Sequence, residues 1–457
     1  MRLTNHQKEK RFNRQLSATD FFEFGKLFFL VSTIAILVTA CEEKMLHSCN
    51  LPKVSSEKIE RTETANLSIF IDGTPSMVGY VSNNIDSRYK KILDSIDQIS
   101  TTTWSKPKYF RFGQKKQLID RDTYRSAKLP SFYQGGANFS VSQIDKLLLD
   151  PPGKDRVTII VSDLYQKNAD LGRVQQVLTQ NYLKQGYSIG TLGVKSEFNG
   201  TIFDVGLTNQ QFGYSTLGLN SEKYHPFYVL ILGTYGNVYH FYEQMQQYGL
   251  KSVQHEFIIF SPQLVSQVSS LDPKAVKKED GRGLTRPQTL KDNYLLLRKN
   301  GKESVQFLLM DRHSTSKSLT EELTYFPLSK VLQPSRSEVQ REDRQYSPKR
   351  KSFESIGSLS GIQIENGNIE RNSFKFNLDL KPDQFDKGIY TLTAKVFPET
   401  LQQPDWWQSW SSDENGLDGS KTNNLFRFMN GLSGNTLDSI REGNHAIAQL
   451  CYAIQKK

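Results

Sequence analysis

The nine residues Arg156–Leu164 (RVTIIVSDL) constrain the fold more than any other stretch of this chain. A continuous apolar run of strand length, rich in β-branched residues, belongs to a strand buried on both faces, which needs a covering layer on each side. The flanking sequence offers those layers. Leu67–Asp72 (LSIFID), Lys108–Phe112 and Ser188–Val194 (SIGTLGV) read as further strands. Ser87–Ile99 repeats apolar residues at Tyr89, Ile92, Leu93 and Ile96, a helical period; Val141–Leu149 and Leu171–Leu183 also read as helices. Strands alternating with helices predict an α/β fold, a mostly parallel sheet with helices on both faces, over residues 66–205.

The remainder reads as two further regions. Phe227–Gly233 (FYVLILG), Asn237–Tyr248 and Val253–Phe260 (VQHEFIIF) make a β-α-β-like unit in an α+β segment spanning 206–335. It either extends the first sheet or forms a small domain of its own. Residues 336–352 mix both charge signs with almost no apolar residues and read as a charged, solvated loop. Residues 353–457 read as a β-rich region with a helical tail. Phe374–Leu380 (FKFNLDL) and Gly388–Val396 (GIYTLTAKV) alternate as the closing strands of an immunoglobulin-like sandwich do, and Trp406, Trp407 and Trp410 cluster after them.

The N-terminus sets the expected compartment. Residues 1–26 are polar and basic, and Leu27–Ala40 (LFFLVSTIAILVTA) is apolar. At about 1.5 Å per residue this run falls short of a roughly 30 Å hydrocarbon core, so it reads as a secretory signal over 1–40. Val38-Thr39-Ala40-Cys41 resembles a bacterial lipoprotein lipobox. The resemblance implies cleavage before Cys41, acylation of that residue, and a polar tether over 41–65. It also implies a body held on a membrane in the cell envelope, facing the periplasm or the exterior. Glu42, in place of the aspartate that favours inner-membrane retention, points to the outer membrane if the cell is Gram-negative. Outside the cytoplasm Cys49 and Cys451 can pair as a disulfide; the alternative is a buried thiol at Cys451.

Net charge excludes one class of partner. The chain of 457 residues carries 58 Lys and Arg against 48 Asp and Glu. The leader accounts for three of the ten excess positive charges, and the remainder is too dilute to be a nucleic-acid footprint.

The stretch that carries chemistry is Ile69-Phe70-Ile71-Asp72-Gly73-Thr74-Pro75-Ser76-Met77. An apolar strand ends in an aspartate, with hydroxyls two and four residues on, and ligands of open α/β sheets bind beyond such strand ends. A carboxylate with two hydroxyls suits a hard cation such as Mg²⁺ or Mn²⁺. Asp72-x-Thr74-x-Ser76 resembles the Asp-x-Ser-x-Ser of the von Willebrand factor A family's metal-ion-dependent adhesion site. Gly135-Gly136 matches the family's second loop, but Ala137 stands where that loop has a Thr; Asn138, Ser140 or a water is then the expected substitute oxygen. Val161-Ser162-Asp163 matches the third loop. The resemblance implies a Rossmann-like domain holding a cation through Asp72, Thr74, Ser76 and Asp163, and a protein partner whose carboxylate completes the shell. The competing local reading is that Asp72, Thr74 and Ser76 only cap the following turn. Ser196-Glu197-Phe198-Asn199-Gly200 resembles bacterial members without suggesting a role.

Enzyme motifs are absent. Asp72-Gly73-Thr74 is similar to part of the haloacid-dehalogenase phosphatase motif, but Phe70 occupies the nucleophile's position. No HExxH, GxSxG or GxxxxGK[ST] is present. The expectation is a non-enzymatic, lipid-anchored envelope protein that binds another macromolecule. The alternatives are a metal-free scaffold using the C-terminal region and Trp406–Trp410, and an envelope hydrolase using Asp163.

Overall fold

The computed structural model describes residues 62, 65–82, 86–149, 153–165, 171–205, 210–251, 253–270, 284–285, 306–310, 316–350, 352–365, 367–370, 373–412 and 417–457. All fall within one of the two units into which the chain divides. The signal segment, Cys41, Cys49 and nearly all of the tether lie outside the described residues. Among the described residues no helix is long and apolar enough to cross a membrane.

Strands β1 (Asn66–Asp72) and β2 (Ser105–Phe112) form as predicted; β3 (Lys116–Ile119), which the sequence did not predict, follows them, and the predicted β4 (Arg156–Ser162) and β5 (Ser188–Ser196) come next. A hairpin follows, β6 (Asn199–Val205) with β7 (Gln210–Ser215), and then β8 (His225–Gly233) and β9 (His255–Phe260). The first sheet has the order β3-β2-β1-β4-β8-β5-β9. It therefore takes two strands from beyond residue 205, so the α/β layer does not stop where the sequence suggested. Nor is the sheet mostly parallel. Only the β1–β2 and β1–β4 pairs are parallel, whereas β8 runs antiparallel to both β4 and β5.

The cause is the connection after β5. A parallel return needs a crossover of a dozen or more residues, usually a helix, that carries the chain to the opposite rim. Here the β6–β7 hairpin keeps the chain at the rim where β5 ends, and β8 re-enters there, with His225 opposite Ser196. Every residue of β5 and β8 is buried. Large aliphatic side chains in such strands contribute about 1.5–3 kcal/mol each through burial.

Helices α1 (Arg88–Thr102), α2 (Leu171–Asn181), α3 (Tyr235–Tyr248) and α4 (Leu425–Glu442) pack around this sheet. Ser87 caps α1 by accepting from the Lys90 amide, and Tyr89, Ile92, Leu93, Ile96 and Ile99 form its buried stripe. Successive faces of β5 meet different neighbours. Gly190 lies against Val238 of α3, and Gly193, on the opposite face, lies under Trp410. The C-terminal segment thus covers the second face, with α4 packed on α2 and on strand Gly388–Leu401.

The C-terminal region is β-rich, with a seven-stranded sheet and a four-stranded antiparallel one. Two expectations change. Pro334–Ser347 is a strand, not a loop, and it pairs antiparallel with Gly388–Leu401. Backbone bonds do not depend on side-chain polarity, and the charges offset one another through Arg341–Asp343 (2.6 Å), Arg344–Glu342 (2.7 Å) and Arg441–Glu338 (3.2 Å). The tail is one helix, α4, followed by the strand Ala448–Lys456 between Gln306–Met310 and Gly388–Leu401. Cys451 is buried on that strand and disulfide-bonded.

Candidate functional site

Strands β1 and β4 are parallel neighbours with Ile71 opposite Val161, so both chains leave the sheet at the same rim. Asp72 ends β1, and Asp163 follows β4. Asp72 is fully buried and Asp163 is 8 % exposed. The Asp72 carboxylate is surrounded by donors. Its Oδ1 accepts from the Thr74 amide (3.1 Å) and from Thr74 Oγ1 (2.7 Å), and its Oδ2 accepts from Ser162 Oγ (2.7 Å). Ser76 Oγ lies 3.1 Å from Thr74 Oγ1, and its side chain also hydrogen-bonds Asp163. Asp163 Oδ1 accepts from the Tyr165 amide at 2.9 Å. Thr74 makes no side-chain cap on the Pro75–Tyr80 turn, so the hydroxyls face the carboxylates and do not serve the turn.

Two carboxylates in one buried rim repel each other and lose hydration. Burial, then the neighbouring Asp72, pushes Asp163 up to about 7. Asp72 is also raised by burial, against the lowering effect of its bonds from Thr74, Ser162 and Ser142. Among the described residues no Lys, Arg or His forms an ion pair with either carboxylate. Backbone strain sits at the same place, because Leu164 adopts a φ of 63° with its side chain buried. That conformation costs a bulky residue on the order of 1–3 kcal/mol.

The second loop supplies its oxygen from an unexpected position. Ala137, Asn138 and Ser140 are exposed. The Asn138 carbonyl accepts from the Gln114 amide (2.9 Å), and Ser140 Oγ accepts from Gln114 Nε2 (3.0 Å). Both residues therefore tie the loop to the β2–β3 turn and do not reach Asp72. Ser142, fully buried, makes the hydrogen bond to Asp72 instead. The Gly136–Phe139 turn uses up the intervening residues, so the hydroxyl arrives five positions after Ala137. The signal for it was the second serine in Ser140-Val141-Ser142.

Ser196-Glu197-Phe198-Asn199-Gly200 acquires a role. Ser196 Oγ accepts from the Tyr89 amide (3.0 Å) and Glu197 Oε2 from the Arg88 amide (2.9 Å), which satisfies the start of α1. Phe198 packs on Tyr80 (4.9 Å) and His225 (4.5 Å). A Cβ on Gly200 would lie 2.8 Å from the Gly79 Cα, so the hairpin backbone rests directly on the Pro75–Tyr80 turn that follows Asp72. Phe203 of β6 also meets the ring of Tyr165 at 6.1 Å, two residues from Asp163.

The other sequence candidates lie elsewhere. Trp406, Trp407 and Trp410 are buried, with Trp407 stacked on Phe260 at 5.8 Å, and they fasten the C-terminal segment to the sheet. Phe70 stacks on Phe110 at 4.6 Å, a packing role. Among the described residues no group of three or more His, Cys, Asp and Glu gathers; the rim has two carboxylates with hydroxyls around them. Compared with known proteins, the chain matches no family model and no curated protein.

Proposed function

We propose that this chain is a lipid-anchored cell-envelope protein whose von Willebrand factor A-like domain binds another macromolecule through a divalent cation. The observation that carries the reading is the convergence of Asp72, Thr74, Ser76, Ser142 and Asp163 oxygens at one rim. Hydroxyl protons rotate, so these side chains can turn lone pairs toward a cation. All the donors are hard oxygens, which fits Mg²⁺ or Mn²⁺ and disfavours soft metals. The two unpaired buried carboxylates supply the negative charge such an ion requires. When bound, the ion offers an open coordination position to an acidic group of the partner. Asp72 and Asp163 would hold it, while the three hydroxyls would fix the carboxylates and add oxygens beside them. The Cys41 anchor rests on the lipobox resemblance and keeps the body at a membrane surface.

The test is thermal unfolding of the full chain titrated with Mg²⁺ and Mn²⁺, beside Asp72→Ala. An ion that binds only the folded state raises its melting temperature with concentration. The expected result is a rise in the native protein that the variant lacks. Equal responses, or none in the native protein, overturn the cation reading.

A further inference from the structure

Among the described residues Arg111, beside this rim, has no counter-ion. It lies on β2 opposite Ile71, and its Nη2 donates to the Gly73 carbonyl at 3.2 Å. The guanidinium is held between two rings, 3.8 Å from the Phe139 centroid and 4.9 Å from that of Phe132. It threads between the first and second loops so closely that a Cβ on Gly73 would sit 2.4 Å from Nε, and one on Gly135 2.5 Å from Nη2. Its Nε is buried with no acceptor among the described residues. The side chain as a whole keeps partial exposure, and Lys115 is exposed on the adjacent turn that bonds Asn138. Guanidinium stays charged in proteins, and a half-buried one without an anion forgoes its strongest available bond.

We infer that Arg111 is a second anchor for a doubly acidic segment of the partner, whose first carboxylate completes the cation's shell. This rests on the cation reading of the rim. Gly73 separates the guanidinium from the Asp72–Thr74 pair, so Arg111 stands beside the ion's shell and not in it. A single carboxylate on the ion leaves Arg111 unmet, and a second acid nearby meets it. Exposed Lys115 extends the same positive edge. Two planar rings fix the guanidinium before the partner arrives, which lowers the ordering cost of the contact.

The probes are butyrate, with one carboxylate, and glutarate, with two, added to the Mn²⁺-loaded full chain. Displacement of Mn²⁺-bound water is followed by proton relaxation, in the native protein, Arg111→Gln and Arg111→Lys. The native protein is expected to hold glutarate about tenfold tighter than butyrate, as one charge-assisted bond implies. Arg111→Gln should lose that preference with Mn²⁺ affinity unchanged, and Arg111→Lys should keep part of it. A preference that survives in Arg111→Gln, or is missing from the native protein, overturns the inference while the cation reading stands. Loss of Mn²⁺ affinity in both variants makes Arg111 a structural pin between the loops and also overturns it. A native protein that takes up no Mn²⁺ removes the cation reading, and the inference with it, at the first titration.

Discussion

Replacing Asp163 with Asn separates a rim built for a charge from one that merely needs a hydrogen bond. Asn keeps the Oδ1 that accepts from the Tyr165 amide and can still meet Ser76, so the local geometry survives. What goes is the second negative charge next to Asp72. Asp163 titrates near 7, up from 3.8, because of burial and then Asp72. The folded state therefore holds its proton more tightly than the unfolded state. Without cation, its contribution is full below the unfolded value and is lost as pH rises toward 7. At about 1.4 kcal/mol per pH unit, the native protein in EDTA is expected to be about 4 kcal/mol worse off at pH 8 than if Asp163 were neutral. The variant should exceed the native protein by about 2 kcal/mol at pH 5, already above the unfolded value, and by about 4 kcal/mol at pH 8, where the gap reaches several degrees in melting temperature. Added Mg²⁺ at pH 8 should raise the native protein alone. A variant weakened equally at both pH values would mean that the carboxylate serves packing, and the electrostatic account of the rim would fail.

Two further outcomes probe the frame around the rim. Burial depresses His225 to about 4, and its Nδ1 lies 2.6 Å from the Gly419 carbonyl. Its neutral form contributes stability above the unfolded value of 6.5, and about 3 kcal/mol should be lost as pH falls to about 4. Acid denaturation of His225→Phe should lack that component, and an unchanged acid limb would refute the assignment. Gly200→Ala drives a Cβ against the Gly79 backbone, whereas Gly213→Ala on β7 meets nothing within 4 Å. The first should cost about 1–3 kcal/mol and weaken the Mn²⁺ response, and the second should lie within about 0.5 kcal/mol of native. Denaturant midpoints with and without Mn²⁺ check both, and equal effects would detach the hairpin from the rim.

The sequence made the two strand ends legible because each couples an apolar run to a polar stop. Ile69–Asp72 and Val161–Asp163 announce where the chain leaves the sheet, and the parallel register then brings the acids to one edge. Strand direction was not legible. The composition of β8 is the same whichever way it runs, and the hairpin connection through β6–β7 fixes it. Pro334–Ser347 was hidden for a different reason. Its charges mimic a loop, while its pairing with Gly388–Leu401 depends on the backbone. Leu450, Tyr452 and Ile454 do alternate, but the other face of that strand is buried too, which blurred the period toward a helix. Ser142 was missed because the turn before it changes the spacing on which a motif depends.

The strongest reason to treat this rim as functional is that it is a poor way to build a core. Burying a carboxylate without a cation costs stability, and apolar side chains of similar volume would serve packing better. Yet the fold puts Asp72 and Asp163 side by side and surrounds them with Thr74, Ser76, Ser142 and Ser162. It also holds Leu164 in a strained backbone conformation next to them. Local rules broken together at one strand end are the pattern expected of a functional site. The hydroxyls favour the cation reading proposed above. A proton relay needs a group aimed at a reactive centre, whereas here each hydroxyl is spent on fixing a carboxylate. On that reading, such a shell would change little when an ion entered, and the ion's charge would remain available to whatever docks on it.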